Sequence, residues 1–331
     1  MAKRDKVALI LAGGRIIRKR PPGADDELPL DTEEMTNAYF TDEMREKVYV
    51  VDWSRQPVTY YTLRMCGDLI QMAGAQIEEG ACASVITCGI QGLVELAYYA
   101  DLVWSYPQPL IFTSSVNNAG SLGSETALHL SQAVMAAQSQ ACWGQGALIC
   151  VQDGLYAALE VRQLSNCVRS GYDAFPSGPI AQFTNPDCLT FFRSSRRGKI
   201  MNIGTTPARN VEILDVTLGG GDLLLNALLD GRISELDGLV VSAFGGGDVP
   251  PSWVPLLRKI MRSEVPVVLA SRCPMGRVLE GGGFEGSSSH LLEMGILSAG
   301  ALTPLQARIR LAVGLGAELK GHELRSYMLN E

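Results

Sequence analysis

Residues Ser84 to Leu102 read SVITCGIQGLVELAYYADL, and this stretch decides the fold. Val85, Ile86 and Thr87 open it as a short β-type apolar run. The run breaks at Cys88-Gly89, and Leu93, Leu96, Ala97 and Ala100 then recur at helical spacing. The pattern predicts a strand, a tight glycine turn and a helix. In α/β proteins such a junction carries the site, because backbone N–H groups and a helix N-terminus converge at the carboxyl ends of the strands. The turn itself, Gly89-Ile90-Gln91-Gly92, is chemically quiet.

The alternation extends in both directions. Lys6 to Ala12 (KVALILA) is a continuous apolar run ending in Gly13-Gly14, which predicts a buried parallel strand. Residues 15–45 are polar and read as a mobile loop followed by a short helix near Thr41 to Lys47. Val48 to Asp52 reads as a strand that turns away at Trp53-Ser54-Arg55-Gln56-Pro57, and Tyr61 to Glu79 as a helix. Downstream come a strand at Pro109 to Ser114, a helix at Glu125 to Gln138 and a strand at Gly146 to Val151. Such alternation predicts a parallel sheet covered by helices on both faces. Residues 152–211 hold Pro176, Pro179, Pro186 and the basic Arg193 to Lys199 segment, and read as loops, a hairpin and the connection between domains. A second, smaller α/β domain follows. Its strands are Val211 to Val216, Gly238 to Ala243 and Val265 to Ala270; its helices are Asp222 to Leu229, Trp253 to Ser263 and one around Leu291 to Met294. Thr303-Pro304, a cap followed by proline at the first helical position, opens a final helix reaching about Val313.

Composition sets the function classes. The 331 residues are 47% hydrophobic and 19% charged, which supports a well-buried globular core. The net charge of −7 argues against a nucleic-acid partner, which needs a basic face. The one basic cluster near the start, Arg15 to Arg20, precedes Asp25, Asp26 and Glu27 and reads as a solvated loop. The charged start and the absence of an apolar run of spanning length predict a soluble cytoplasmic protein with no membrane partner. Eight cysteines without CxxC spacing read as scattered buried thiols, and three distant histidines give no metal site. Gly13-Gly14 lacks the rest of a dinucleotide fingerprint, so no cofactor is expected. The triplets at 219–221, 245–247 and 281–283 lack a following Lys-Ser/Thr and read as tight turns. There is no G-x-S-x-G elbow.

Taken together, the motifs resemble the bacterial L-asparaginase/glutaminase family, two-domain amidohydrolases with a threonine nucleophile. Leu9-Ile10-Leu11-Ala12-Gly13-Gly14-Arg15-Ile16 parallels the family's A-T-G-G-T-I turn. Val85-Ile86-Thr87-Cys88-Gly89-Ile90-Gln91-Gly92, with Glu95, Ala97-Tyr98 and Asp101-Leu102, parallels V-I-T-H-G-T-D-T…E-x-A-Y…D-L. Thr205 to Arg209, Ala243 to Pro250, Ala270 to Val278 and Leu302 to Arg308 also have counterparts, in the right order. The resemblance implies an α/β asparaginase-like fold with an N-terminal domain at 1–195, a linker at 196–211 and a C-terminal domain at 212–331. It also implies a homodimer or homotetramer, since family sites are completed across a subunit boundary.

The resemblance further implies where chemistry has changed. The first family threonine corresponds to Ala12, and the hydroxyl of G-G-T to Arg15. The second threonine, the aspartate and the lysine correspond to Ile90, Gln91 and, through Val151-Gln152-Asp153, Gln163; the family histidine is Cys88. Alanine and isoleucine can neither attack a carbonyl nor relay a proton. Ser54 matches the serine that holds the substrate α-carboxylate, and Arg55 stands in place of the glutamine after it. Gly14, Arg15, Ser54, Arg55, Gly89, Ile90, Gln91 and Gln163 are therefore the expected substrate-binding set, with the Gly89 and Ile90 N–H groups as an oxyanion contact. The altered charges favour a carboxylate or an acylated amine over a free α-ammonium. Candidates for catalysis are Arg15, Cys88, Gln91 and Asp248. Cys88 lies near a helix N-terminus, which would lower its thiol pKa, and Tyr98-Tyr99 are further acid/base groups. Three expectations follow: an altered reaction such as a cyclisation, isomerisation or acyl/amide chemistry in specialised metabolism, an inert binding or regulatory subunit, or an amidohydrolase using Cys88.

Overall fold

Val7–Ala12 forms β1, and all six side chains are buried. A strand buried on both faces is an interior strand, and β1 lies between two parallel neighbours. These relations come from a computed structural model that describes residues 5–19, 26, 28–185 and 188–329. After a 3-10 turn come the short paired strands β2 (Arg18–Lys19) and β3 (Leu28–Pro29). Helices α1 (Thr32–Tyr39) and α2 (Asp42–Lys47) start at Asp31 and Thr41, whose side chains cap them. Then follow β4 (Val48–Ser54), α3 (Leu63–Glu78), β5 (Ala83–Cys88), α4 (Leu93–Val103), β6 (Leu110–Thr113), α5 (Thr126–Gln138) and β7 (Ala147–Val151). Strands β8 (Gly154–Ala157), β9 (Arg162–Gln163), β10 (Tyr172–Asp173), β11 (Ala181–Asn185) and β12 (Cys188–Phe191) complete the unit Met1–Gly204.

The large sheet runs β12-β11-β8-β7-β6-β5-β1-β4. The five strands from β4 to β7 are parallel, as the alternation predicts. Beyond them β8, β11 and β12 are antiparallel, so the sheet as a whole is parallel-rich, as expected, rather than wholly parallel. The reason is local. Only Gln152 and Asp153 join β7 to β8, both at positive φ (56° and 57°), and a two-residue link permits only a hairpin. The segment read as loops and one hairpin thus holds five strands. Its Pro186 lies outside the described residues.

The stretch 15–45 also departs from the loop-then-helix reading. It holds α1 as well as α2; residues 20–25 and 27 lie outside the described residues. Helix α1 buries only Met35, so its apolar period is too sparse to read, but its Asp31 cap accepts the Glu34 N–H at 2.7 Å. Ile16 and Ile17 are core residues, so the basic cluster is not simply a solvated loop. Arg18 donates to the Arg55 carbonyl at 3.0 Å, and Lys19 pairs with Glu34.

Leu9, Leu11, Val85 and Ile111 share one core with Leu130, Ala133 and Val134 of α5. Arg197 ties the segment after β12 to α4. Its Nε donates to Asp101 Oδ1 at 2.9 Å, and its Nη2 to the Asp101 and Trp104 carbonyls at 2.7 and 2.8 Å. The same Asp101 oxygen accepts the Ala147 N–H at 3.1 Å. Removing one partner of a buried pair strands the other charge. Arg197→Ala is therefore expected to lower the unfolding free energy by about 3–5 kcal/mol in urea titrations at neutral pH.

In the second unit, Thr205–Glu331, four parallel strands run in the order β13 (Val211–Asp215), β14 (Gly238–Ala243), β15 (Val267–Ser271) and β16 (Leu297–Ser298). Its helices are α6 (Asp222–Gly231), α7 (Trp253–Arg262), α8 (Ser288–Glu293), α9 (Pro304–Gly316) and α10 (Gly321–Leu329). Thr303 and Gln306 form a capping box at α9, with Pro304 in its first turn. Helix α9 is not the last, as the sequence suggested. Glu318 at φ 60° turns the chain, and α10 buries Leu324, Tyr327 and Met328. The Arg310 guanidinium lies over the Tyr327 ring, 4.7 Å from its centroid. Among the described residues no helix is long and apolar enough to cross a membrane.

Candidate functional site

Strand register builds the site. Ala12, the last residue of β1, lies opposite Cys88 of β5 on one side and Ser54 of β4 on the other. Three strand ends therefore reach one level at the carboxyl edge, where α/β sheets place their crevices. The chain then leaves through Gly13 (φ 81°) and Gly14 (φ 92°). Both glycines are required twice over. A Cβ at Gly13 would lie 2.3 Å from the Gln56 carbonyl oxygen, and one at Gly14 would lie 2.3 Å from that of Cys88.

Tyr61 lies against this junction. Its phenol donates to the Ala12 carbonyl at 3.0 Å, and its ring meets Trp53 edge-on at 5.3 Å. Burial pushes the Tyr61 pKa up to about 12, against a hydrogen bond from Ser54 that holds it down. Ser54 Oγ also accepts the Gln56 N–H at 3.2 Å, so the serine expected to meet a carboxylate already serves its own chain.

The turn after β5 closes with the Gly92 N–H on the Gly89 carbonyl at 3.2 Å. Val58 covers it, and a Cβ at Gly92 would lie 2.5 Å from Val58 Cγ2. Ile90 is buried and Gln91 exposed. Tyr172 of β10 donates its hydroxyl to the Ile90 carbonyl at 3.3 Å, and Gln163 of β9 pairs with Tyr172 in register. Gln163 Nε2 donates to the Ser165 carbonyl at 3.3 Å. Ala12, Gly13, Gly14, Ser54, Cys88, Gly89, Ile90 and Gln91 thus share one edge, with Gln163 joined through Tyr172.

The remaining candidates stand differently. Arg15 opens the 3-10 turn, exposed, with Nη1 on the Val116 carbonyl at 3.1 Å. Arg55 chelates Asp52, with contacts of 2.7–3.0 Å, and also reaches the Leu30 carbonyl. The positive charge expected at Arg55 is therefore matched by Asp52. The expected lowering of the Cys88 pKa does not hold: Cys88 is fully buried, and burial pushes its thiol up. Tyr98 and Tyr99 are buried in α4, and burial raises the Tyr99 pKa. Asp248 belongs to the C-terminal unit, where Oδ1 accepts the Ser288 N–H at 3.0 Å and secures a glycine-rich loop to the start of α8. Of the eight thiols, all free, only Cys66, Cys88, Cys142 and Cys150 are buried; Cys167, Cys188 and Cys273 are exposed. Among the described residues no group of three or more His, Cys, Asp or Glu side chains is placed to hold a metal ion.

Two family profiles account for almost the whole chain. One, described as "Asparaginase, N-terminal", matches residues 6–196; the other, "Glutaminase/Asparaginase C-terminal domain", matches residues 210–328. The chain belongs to the asparaginase family. A probable L-asparaginase of Deinococcus radiodurans is 29% identical over 255 residues, 76% of each chain. An L-asparaginase of Bacillus licheniformis is 24% identical over 320 residues, 96% of this chain and 97% of the relative. The fold is that of a probable cytoplasmic L-asparaginase from Campylobacter jejuni, at a TM-score of 0.86 and 17% identity over 99% of this chain and 100% of that one.

In this asparaginase-family chain, sequence reasoning missed Tyr61, Ser114, His129, Gln152 and Tyr172. Each touches the strand-end cluster or its supports, and each comes from a different part of the chain. Only the sheet order brings them together. The one local signal was His129, the only ionisable side chain of helix α5.

Proposed function

We propose that this protein keeps the asparaginase-family crevice as a small-molecule site but has lost hydrolysis by threonine. The observation that carries the reading is the end of β1, where Ala12 stands buried between Ser54 and Cys88; the resemblance of the Gly13-Gly14 turn matches Ala12 to the threonine nucleophile. Ile90, Gln91 and Gln163 stand for the second threonine, the aspartate and the lysine, and none carries a hydroxyl or a charge. What remains is suited to orientation and polarisation: the N–H groups of the Gly89–Gln91 turn, two side-chain amides and the Arg15 guanidinium. That set fits a cyclisation, an isomerisation or other acyl/amide chemistry on a carboxylate- or amide-bearing substrate, as in specialised metabolism. A fully buried thiol with a raised pKa argues against Cys88 as a substitute nucleophile, since the thiolate is the reactive form. We read the protein as cytoplasmic and as a homodimer or homotetramer, with no cofactor.

The altered ammonium side makes a binding test. With Gln91 neutral, the crevice favours a ligand without a free α-ammonium. N-acetyl-L-aspartate at a hundred times its Kd is expected to stabilise the protein by about 2.7 kcal/mol in thermal melts, and free L-aspartate to bind more weakly. Equal or tighter binding of aspartate by titration calorimetry overturns this reading of the pocket. Binding of the class without turnover of any member instead marks an inert binding or regulatory subunit.

A further inference from the structure

The turn from Cys88 to Gln91 is held at two carbonyls, and the two holds are connected. Ser114, just past β6 and buried, donates its hydroxyl to the Cys88 carbonyl at 2.7 Å. The Ser114 carbonyl in turn accepts from His129 Nδ1 of α5 at 2.7 Å. The Gln152 N–H donates to His129 Nε2 at 3.2 Å. A backbone N–H can only donate, so Nε2 is the bare nitrogen and the ring proton sits on Nδ1. The Gln152 side chain then brackets one residue of β10: Oε1 accepts the Tyr172 N–H at 2.6 Å, and Nε2 donates to the Tyr172 carbonyl at 3.1 Å. The Tyr172 hydroxyl reaches the Ile90 carbonyl at 3.3 Å. The path leaves the backbone at residue 88 and returns to it at residue 90.

We propose that His129 is a positioning residue for the Gly89–Gln91 turn, its neutral imidazole joining the two halves of a hydrogen-bond circuit that fixes the turn's peptide planes. A trans peptide is planar, so holding the Cys88 and Ile90 carbonyls sets the opposed N–H groups of Gly89 and Gln91. The Gly89 N–H belongs to the oxyanion contact that a ligand oxygen would meet, and there the inference rests on the proposed function. The circuit itself exists in the free protein.

The imidazole works only while neutral. A proton on Nε2 would face the Gln152 N–H, donor against donor. The charged groups around the ring are Glu125 at the N-cap of α5 and Asp153 in the β7–β8 turn, and both raise its pKa, as does the bond to Ser114; burial outweighs them and lowers it below 6.5. Glu125 is itself paired with Arg169 at 3.2 Å and accepts the Ser115 hydroxyl at 2.8 Å, and Asp153 accepts from Gln132 at 2.7 Å. A depressed histidine pKa means the stabilisation is whole above pH 6.5 and declines as the pH falls below it.

Amide hydrogen exchange on the free, full-length protein tests this without any ligand or reaction. In His129→Leu protection across residues 89–92, carried by the Gly92 N–H that bonds the Gly89 carbonyl, is expected to fall by about tenfold, the worth of one buried hydrogen bond, while β13–β15 stay unchanged. His129→Gln, whose side-chain oxygen can take the Gln152 N–H, is expected to return most of that protection. In the unsubstituted protein the protection at 89–92, corrected for intrinsic rates, falls from pH 7 to pH 5, and this step is absent in His129→Gln. Should His129→Leu fail to fold, Ser114→Ala cuts the same circuit and is expected to loosen the same amides. Unchanged exchange at 89–92, a loss spread evenly over the N-terminal unit, or a pH step that persists in His129→Gln overturns the proposal. Failure of the ligand-binding test leaves these outcomes untouched.

Discussion

Ammonia release from asparagine and glutamine is expected to lie on the order of 10⁶-fold below that of a threonine-armed enzyme, the loss that follows removal of a nucleophile acting in a triad. Set against a median turnover of about 10 s⁻¹, that leaves roughly one event per day. Ala12 is held in place by β-ladder pairing on both sides and by Tyr61 on its carbonyl, so no neighbouring hydroxyl can slide into its position by a shift of one residue. Ser54 is the nearest hydroxyl in register, and it is bonded to Tyr61 and to the Gln56 N–H. Reinstating one group does not reinstate the reaction, because members of a catalytic unit fail together. Ala12→Thr is accordingly expected to stay within about tenfold of the parent, since Ile90, Gln91 and Gln163 still cannot take the hydroxyl proton. A glutamate dehydrogenase-coupled assay checks both proteins. Turnover near 10 s⁻¹ from either substrate would refute the loss of hydrolysis.

The parts of this fold that sequence displays are those whose burial imposes a period. Strands β1, β5, β7 and β14 are buried along their whole length; β1 and β7 read as unbroken apolar runs, and β5 and β14 as apolar runs broken only by Ser84, Thr87 and Ser242. The short strands β9, β10 and β12 are half-exposed or two residues long, and nothing in their composition separates them from loop. Only four residues separate α9 from α10, among them a positive-φ Glu318 that no residue preference announces. At the site the division is similar. Gly13-Gly14 is legible because positive φ and close backbone approach leave no other choice of residue. The engagement of Arg55 by Asp52, three residues away, was legible in principle, since both flank one strand end. The burial of Cys88 was legible as well, since the thiols in apolar runs read as buried. A helix N-terminus lowers a thiol pKa only where solvent or a counter-charge stabilises the thiolate, and burial at the end of β5 removes both.

Gly14→Ala is expected to lower the melting temperature of the N-terminal unit by about 6–12 °C and to abolish ligand binding in the crevice, at a cost of about 3 kcal/mol. Two effects add. Gly14 adopts φ 92° and ψ 163°, a region that essentially only glycine enters. The new methyl would also stand 2.3 Å from the Cys88 oxygen, 2.6 Å from its carbonyl carbon and 2.9 Å from the Gly89 nitrogen. These are backbone atoms, and the Cys88 oxygen is held by Ser114, so they cannot rotate aside as a side-chain tip would. Relief requires the Gly13-Gly14 loop to lift from the 88–89 peptide, which separates the two glycine turns that form the crevice. Gly144→Ala supplies the control. Gly144 has φ 73°, but nothing lies within 4 Å of an added Cβ, so only conformational strain of about 1–2 kcal/mol applies there. Differential scanning calorimetry of both variants separates contact from strain. Equal melting temperatures would show that the close approach of β1's exit to the β5 turn is not what demands glycine at position 14.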